Sequence, residues 1–328
     1  MVEGSELQPV AVLVGAAVLD FLIGDPWSWP HPVQAMGWVI NRYSKWVLEV
    51  VQSPQWQRLS GIFLTLGLMS FSGGSVWLLL MGTEKLSPLL RVLLEIVLLA
   101  SCFAGRSLRR AADDVLKPLV LGDLEQARSR LRLYVGRETD HLDESEILRA
   151  VLETVSENAV DGVTAPLFYA LVGMMIPGMG PVPVAIAYKA VSTLDSMVGY
   201  RAAPYTHLGF FSAKTDDVLT WIPCRLTVLT LSLLSGHPKT VWRLCRRDAD
   251  QDPSPNSGWS ECAYAAALGV QLGGENIYRG VVKRKPYVGD ASQPISPAII
   301  QKALRFTRHC FILWIILALS VFAAIHYG

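Results

Sequence analysis

The amino-acid sequence predicts an all-α protein: a polytopic membrane helical bundle with re-entrant or interfacial helices and two cytoplasmic helical or loop segments. Three observations predict it. The 328 residues are 51% hydrophobic and 17% charged, with a mean hydropathy of +0.34, too apolar for an ordinary soluble domain. Several runs with few charges approach the ~20 residues that a helix needs to cross a bilayer. The basic residues gather in two blocks, nine Lys or Arg from Arg106 to Arg149 and eleven from Lys239 to Arg308, and the first forty residues carry none. Positive residues mark cytoplasmic loops, so both blocks are expected inside the cytoplasmic membrane and the C-terminal tail outside. With a net charge of only +1, nothing in the balance points to nucleic acid.

Each element has its own justification. Residues 310–325 are uncharged, follow Arg305 and Arg308, and have Trp314 and Tyr327 as interfacial anchors; they reach roughly 24 Å, so flanking residues must extend the helix. Residues 61–81 form a second span. Residues 88–103 form a third, in which Arg91 and Glu95 can neutralise each other at i,i+4. The first run, 10–23, covers only about 21 Å and contains Asp20, so it should pack against protein. In the middle, 163–176 is short, 177–183 is a Gly/Pro break, 184–198 is amphipathic, and 218–234 is interrupted by Pro223 and Arg225. Such broken segments suit re-entrant or interfacial helices covered by protein.

This organises the chain into N-terminal membrane helices (1–104), a cytoplasmic helical segment with an acidic face (105–162), broken membrane or interfacial helices (163–235), a cytoplasmic loop region (236–309) and a C-terminal transmembrane helix (310–328). The five cysteines lack paired spacing and are expected to be reduced packing residues. No cleaved signal peptide is expected, because the first apolar run lacks a basic region before it and a small-residue cleavage pattern after it.

Two constellations could carry chemistry. Asp143 followed by Glu146 reads as a capping box, and in the helix that follows Leu148, Val151, Leu152, Val155 and Ala159 form an apolar stripe opposite Glu153, Glu157 and Asp161. Three carboxylates at i, i+4, i+8 are either a solvated face or, since like charges repel and only Arg149 offsets them, a seat for Mg²⁺ carried by a phosphorylated ligand. The second constellation is a helical face of Lys189, Ser192, Thr193, Ser196 and Tyr200, which could hold a phosphate or simply line water. Turn-rich knots at Asp25 with His31, at Lys214, Asp216 and Asp217, and at Asn256 with Ser257 stand at the ends of apolar segments, where each taken alone is more often structural than functional. No P-loop or dinucleotide fingerprint is present.

Taken in order, these stretches resemble the adenosylcobinamide-phosphate synthase family of cobalamin biosynthesis. The resemblance runs through Leu19-Asp20, Gly24-Asp25-Pro26, His31-Pro32, Gly136-Arg137, Glu153 to Asn158 with Asp161-Gly162, Tyr188-Lys189-Ala190, Thr193 to Met197, Asp216-Asp217, Pro255 to Gly258 and Leu272-Gly273-Gly274. It implies an ATP-consuming ligase that joins the free carboxylate of adenosylcobyric acid to aminopropanol phosphate or a bare aminoalcohol. On that reading Glu153, Glu157, Asp161 and Asp195 are catalytic, with Glu157 and Asp161 on Mg²⁺ and Asp195 a base or second metal contact. Lys189 takes phosphate. Asp25, His31, Asn158, Thr193, Ser196, Tyr200, Lys214, Asp216, Asp217, Asn256 and Ser257 bind or orient substrate. Membrane lipid and other cobalamin-assembly proteins are the expected partners. A transporter, or a non-catalytic scaffold or sensor related in sequence, would use the same polar faces differently, the first for passage at mid-bilayer.

Overall fold

The computed structural model describes residues 7–25, 31–200, 202–278 and 280–327, the last two by backbone only. Pro26 of the Gly24-Asp25-Pro26 knot and the Tyr327 side chain therefore lie outside the described residues. In chain order the helices begin with α1 (Gln8–Leu22), α2 (Pro32–Val50), α3 (Pro54–Leu86), α4 (Pro88–Ala100), α5 (Gly105–Val120) and α6 (Leu124–Leu131). Helix α7 (Glu144–Asn158) runs into a π-helical turn, Ala159–Thr164, and on into α8 (Ala165–Met175), followed by α9 (Pro181–Val198) and α10 (Phe210–Leu234). Then come α11 (Pro238–Asp248), α12 (Ser257–Leu268), strands β1 (Leu272–Tyr278) and β2 (Val281–Val288), and α13 (Pro297–Tyr327). Four helical runs, Pro54–Leu86, Pro88–Val120, Phe210–Leu234 and Pro297–Ile325, are long and apolar enough to cross a membrane; the second comprises α4 and α5, which part at residues 101–104. The protein is thus an all-α membrane helical bundle bearing one small hairpin.

The chain forms two compact units. One gathers Met1–Ala104, Ala165–Thr220 and Ile315–Gly328, and the other Gly105–Thr164 and Trp221–Trp314. In the first, α9 packs on α2, α3, α4 and α8, and its residues Ile186, Ala190, Val191 and Leu194 are almost wholly buried. Helix α1 packs on α4 and buries Val12, Leu13, Ala16 and Asp20, as its short length and its acid required. Arg91 meets Glu95 at 3.2 Å and also reaches Glu84, while Gln8 donates to the other Glu95 oxygen. The charges inside α4 are thereby neutralised. The break between α8 and α9 turns tightly because Gly173 carries no side chain: a Cβ there would stand 2.3 Å from the Gly180 carbonyl oxygen.

Two expectations need correction. Pro223 and Arg225 do not interrupt α10, which is continuous over 25 residues. Thr227 closes its hydroxyl onto the Pro223 carbonyl, and Arg225 donates to the Pro255 carbonyl and lies 4.3 Å from the Trp259 ring centre, so protein supplies what lipid could not. The terminal helix begins at Pro297, well before the uncharged run, which gives it the length that the run itself lacked.

In the second unit the capping box forms as expected, with the Glu146 amide donating to Asp143 and the Asp143 amide donating to the Glu146 side chain. Leu148, Val151, Leu152, Val155 and Ala159 are buried. The short side chains of α12 let it approach α7 closely, where Ser260 donates to the Ser156 carbonyl. All five cysteines are free and buried.

Candidate active site

The second unit assembles a cluster of acids and bases around α7. Glu153, expected on an open acidic face, is 2% exposed. Its carboxylate accepts from Arg137, from Arg149 at 3.2 Å and from the Gly273 amide at 3.0 Å. Burial by itself would raise the Glu153 pKa, and the two guanidinium groups outweigh it and hold the carboxyl below its usual range. Arg149 also donates to the Gly273 and Glu275 carbonyls, and Arg137 bonds Asn276 at 2.6 Å. These contacts fasten the hairpin to α7. Gly273 is required at that junction: it sits at φ +96° in the β-bulge between Leu272 and Gly274, and a Cβ would come within 2.1 Å of the Pro286 carbonyl oxygen.

The hairpin register sets Lys285 opposite Gly274. From there its ammonium reaches Glu261 of α12 at 2.5 Å and Asp252 at 3.6 Å. Glu261 Oε1 also accepts from Ser257 at 3.0 Å, whereas Glu261 Oε2 is buried without a hydrogen-bond partner among the described residues. Burial raises the Glu261 pKa to about 8; Lys285 opposes the shift, and Glu153 and Glu157 reinforce it. Lys285 itself is held charged above its ordinary range because Glu261, Glu157 and Asp252 outweigh its own burial.

Glu157, one turn beyond Glu153, keeps an exposed side chain. Desolvation nevertheless raises its pKa, with Asp252 and Glu153 adding to the effect and Lys285 and Arg137 opposing it. Four carboxylates, Glu153, Glu157, Glu261 and Asp252, here face three cations, Arg137, Arg149 and Lys285. The set carries one formal negative charge in excess, so an added proton or cation is stabilised there.

The remaining expected residues divide between the units. Asp161 lies half-buried on the π-helical turn, where i,i+5 bonding takes it off the i, i+4, i+8 row. The leading charges acting on Glu157 come from Lys285, Asp252, Glu153 and Arg137 rather than from Asp161. Asn158 donates to the Thr154 carbonyl of its own helix, and Asn256 is buried at the N-cap of α12. Among the described residues no three His, Cys, Asp or Glu side chains form a metal-binding group. Mg²⁺ needs only one or two carboxylates beside phosphate oxygens, and the accessible carboxylate of Glu157 fits such an ion.

The first unit holds the other constellation. Lys189 is half-buried and makes no ion pair among the described residues. Thr193 and Ser196 donate their hydroxyl hydrogens to the Lys189 and Thr193 carbonyls, so they are bonded within α9 itself. Asp195 folds back over Gly199, where a Cβ would meet its Oδ1 at 1.9 Å. Tyr200 is exposed. Lys214 pairs with Asp217 at 3.3 Å, with Asp216 half-buried between them in sequence. His31 caps α2, accepting from the Val33 amide on Nδ1 while Nε2 meets Asp25 at 3.2 Å; both line a cavity of about 350 Å³ with Leu19, Ala35 and Ser101.

Sequence reasoning did not select Glu261, Lys285, Asp252 or Asn276. One signal was available for Glu261: it is the only charged residue in the otherwise small and apolar α12. Lys285 offers no comparable signal, because its role depends on hairpin register.

Comparison with known proteins covers nearly the whole chain. The family described as "CobD/Cbib protein" matches residues 13–307. The cobalamin biosynthesis protein CobD of Synechocystis sp. is 55% identical over 97% of this chain and 93% of its own length. The cobalamin biosynthesis protein CbiB of Salmonella arizonae is 42% identical over 88% and 90%, and the CobD of Geobacter metallireducens 40% identical over 94% and 95%. No solved structure matches. With its membrane helices and a match that runs through both compact units, the chain belongs to the CobD/CbiB family of cobalamin biosynthesis proteins.

Proposed function

We propose that this protein forms an amide bond, at the expense of ATP, between the free carboxylate of adenosylcobyric acid and the amine of aminopropanol phosphate or a related aminoalcohol. The observation that carries the reading is the Glu157–Glu261–Lys285–Asp252 cluster beside a fully paired Glu153. Such a reaction needs a proton acceptor, because the amine arrives as an ammonium ion and must lose a proton before it attacks. Glu261, with a pKa of about 8 and an unpartnered buried oxygen, is the candidate acceptor in place of Asp195 in its ionised form, whose share grows as pH rises through that value. Glu153 positions: its oxygens are committed to Arg137, Arg149 and Gly273, and through them it aligns the hairpin that carries Lys285. Glu157 and Asp161 would hold Mg²⁺, which when bound supplies charge stabilisation to phosphate oxygens. Lys189, with no carboxylate of its own, is the candidate phosphate ligand of the first unit.

We further propose that residues 105–160 and 236–309 face the cytoplasm across the cytoplasmic membrane, because they hold twenty of the twenty-nine basic residues. Cysteines introduced at Leu121 and Gln251, both exposed, should resist an impermeant thiol reagent in intact cells; ready labelling of either would reverse the orientation. For the reaction, membranes carrying the protein are incubated with adenosylcobyric acid, MgATP and each candidate amine, and the corrinoids are weighed by mass spectrometry. The expected product gains the mass of the aminoalcohol phosphate with loss of water, only when ATP is present. No product with any amine overturns the reading.

A further inference from the structure

Helix α11 and the end of α10 take no part in the cluster described above. α10 ends at Leu234, the chain turns at Gly236, and α11 follows from Pro238. Val241, Leu244, Cys245 and Asp248 bury one side of α11. Lys239, Trp242, Arg243 and Arg246 fall at i, i+3, i+4 and i+7 and share another side; with Leu229 and Ser232 of α10 they line a cavity of about 540 Å³. The three basic side chains are exposed, and among the described residues none of them meets a carboxylate. Their neighbour Arg247 differs, being held by Asp248 and Asp290. The cavity is therefore positive without an internal counter-charge.

The α10 side of the groove is apolar. Leu226, Leu229 and Leu233 are 39%, 48% and 61% exposed along a helix long and apolar enough to cross a membrane. A row of uncovered leucines on such a helix faces lipid tails. Trp242 stands where the leucines give way to the cations, the place at which indoles sit among headgroups. Its ring is already engaged, with Arg246 at 5.6 Å from its centre and Trp259 edge to face at 5.4 Å, which argues against stacking on a nucleotide base.

We propose that this groove binds an anionic phospholipid, its phosphate on Lys239, Arg243 and Arg246 and its acyl chains along the exposed leucines of α10. A free phosphate or a nucleotide could satisfy the cations but leaves the leucines uncovered. Lipid gives both halves of the groove a partner, and charge attraction supplies the preference for an anionic headgroup.

The test uses the full-length protein in bilayers of phosphatidylcholine containing either brominated phosphatidylglycerol or brominated phosphatidylcholine at the same mole fraction. Bromine quenches nearby indoles, and the difference between the unaltered chain and Trp242→Phe isolates the signal of Trp242. Quenching of Trp242 by phosphatidylglycerol should exceed that by phosphatidylcholine with a binding preference of at least about tenfold, and added salt should reduce it. The combined variant Lys239→Gln, Arg243→Gln, Arg246→Gln should bring the preference close to one. Equal quenching by the two lipids overturns the proposal, as does an unchanged preference in the triple variant. Loss of the quenching on adding millimolar inorganic phosphate or MgATP would also overturn it and assign the cations to a soluble phosphate. If the triple variant does not accumulate, the comparison of the unaltered chain with Trp242→Phe decides by itself.

Discussion

Helices α7 and α9 both carry a row of polar side chains along an otherwise apolar helix, and the two rows end in opposite conditions. On α9 the hydroxyls of Thr193 and Ser196 turn back onto carbonyls of the same helix. On α7 Glu153 is bound by groups from two other places in the chain, Arg137 and Gly273, and by Arg149 one turn before it on the same helix. The difference lies in what each group can do alone. A hydroxyl is a donor, and the carbonyl one turn earlier can accept from it. An ionised carboxylate only accepts, and the interior of a helix has no spare N–H to offer. A buried acid must therefore recruit partners from elsewhere, and where too few arrive, as at Glu261 with its unpartnered oxygen, it keeps an unmet demand for a proton or positive charge. The α7 row, with Glu261 packed beside it, is consequently the place where an added cation or proton is stabilised, and the α9 row supplies Lys189, which meets no carboxylate among the described residues.

The strongest test of this contrast is Glu157→Gln, and with it Asp161→Asn. Turnover should fall at least about a thousandfold, or roughly 4 kcal/mol of barrier, while membrane accumulation is unchanged; near-normal rates at saturating Mg²⁺ would make the α7 row a solvated face. Next comes Arg137→Ala. It leaves Glu153 buried with one guanidinium fewer, so stability should drop by about 3 kcal/mol, read as a lower denaturant midpoint in detergent. An unaltered midpoint would mean that Glu153 does not depend on the pairing.

On the α9 side, Lys189→Met should weaken ATP or the aminoalcohol phosphate by about 1.5–3 kcal/mol and adenosylcobyric acid much less, as apparent binding constants for each substrate will show. Lys189→Arg should recover part of the loss, since a planar fork does not reproduce a compact ammonium. Weakening of the corrinoid alone would move the phosphate site to another cation. Lys214, paired with Asp217, is the next candidate, and Arg201 lies outside the described residues.

The smallest expected effect is a pH dependence. With a folded pKa of about 8 against an ordinary value of 4.5, Glu261 keeps its proton in the folded chain while the unfolded chain has lost it. Between those values the unfolded state binds fewer protons, so this group makes the protein less stable as pH rises. Glu261→Gln should remove that contribution, flattening the fall in Tm between pH 5 and 8 by about 2 °C or more. Identical slopes in the two proteins would show that Glu261 is ionised at neutral pH.

Local features of the fold were readable in advance. The membrane helices followed from apolar runs, the start of α7 from Asp143 and Glu146, and the packing of α1 on protein from its length and Asp20. Pro223 misled because a proline signals a break only where nothing replaces what it removes. The hairpin was missed because Leu272–Tyr278 has two glycines and an acid instead of clean alternation, so its bulge obscured the strand signal.

For the candidate site, the sequence by itself determined the members of each helical row: Glu153, Glu157 and Asp161 on one segment, Lys189, Thr193 and Ser196 on another, with their order and spacing. Only the tertiary structure decided their partners. Arg137, Glu261, Asn276 and Lys285 come from segments far apart in the chain, and the bulge at Gly273 and the π-helical turn at Asp161 changed which side chains share a face. Helical periodicity acts over a few residues and can be counted along the chain. The protonation and pairing of a buried acid depend on the charges that packing brings within a few ångströms, and no local spacing encodes them.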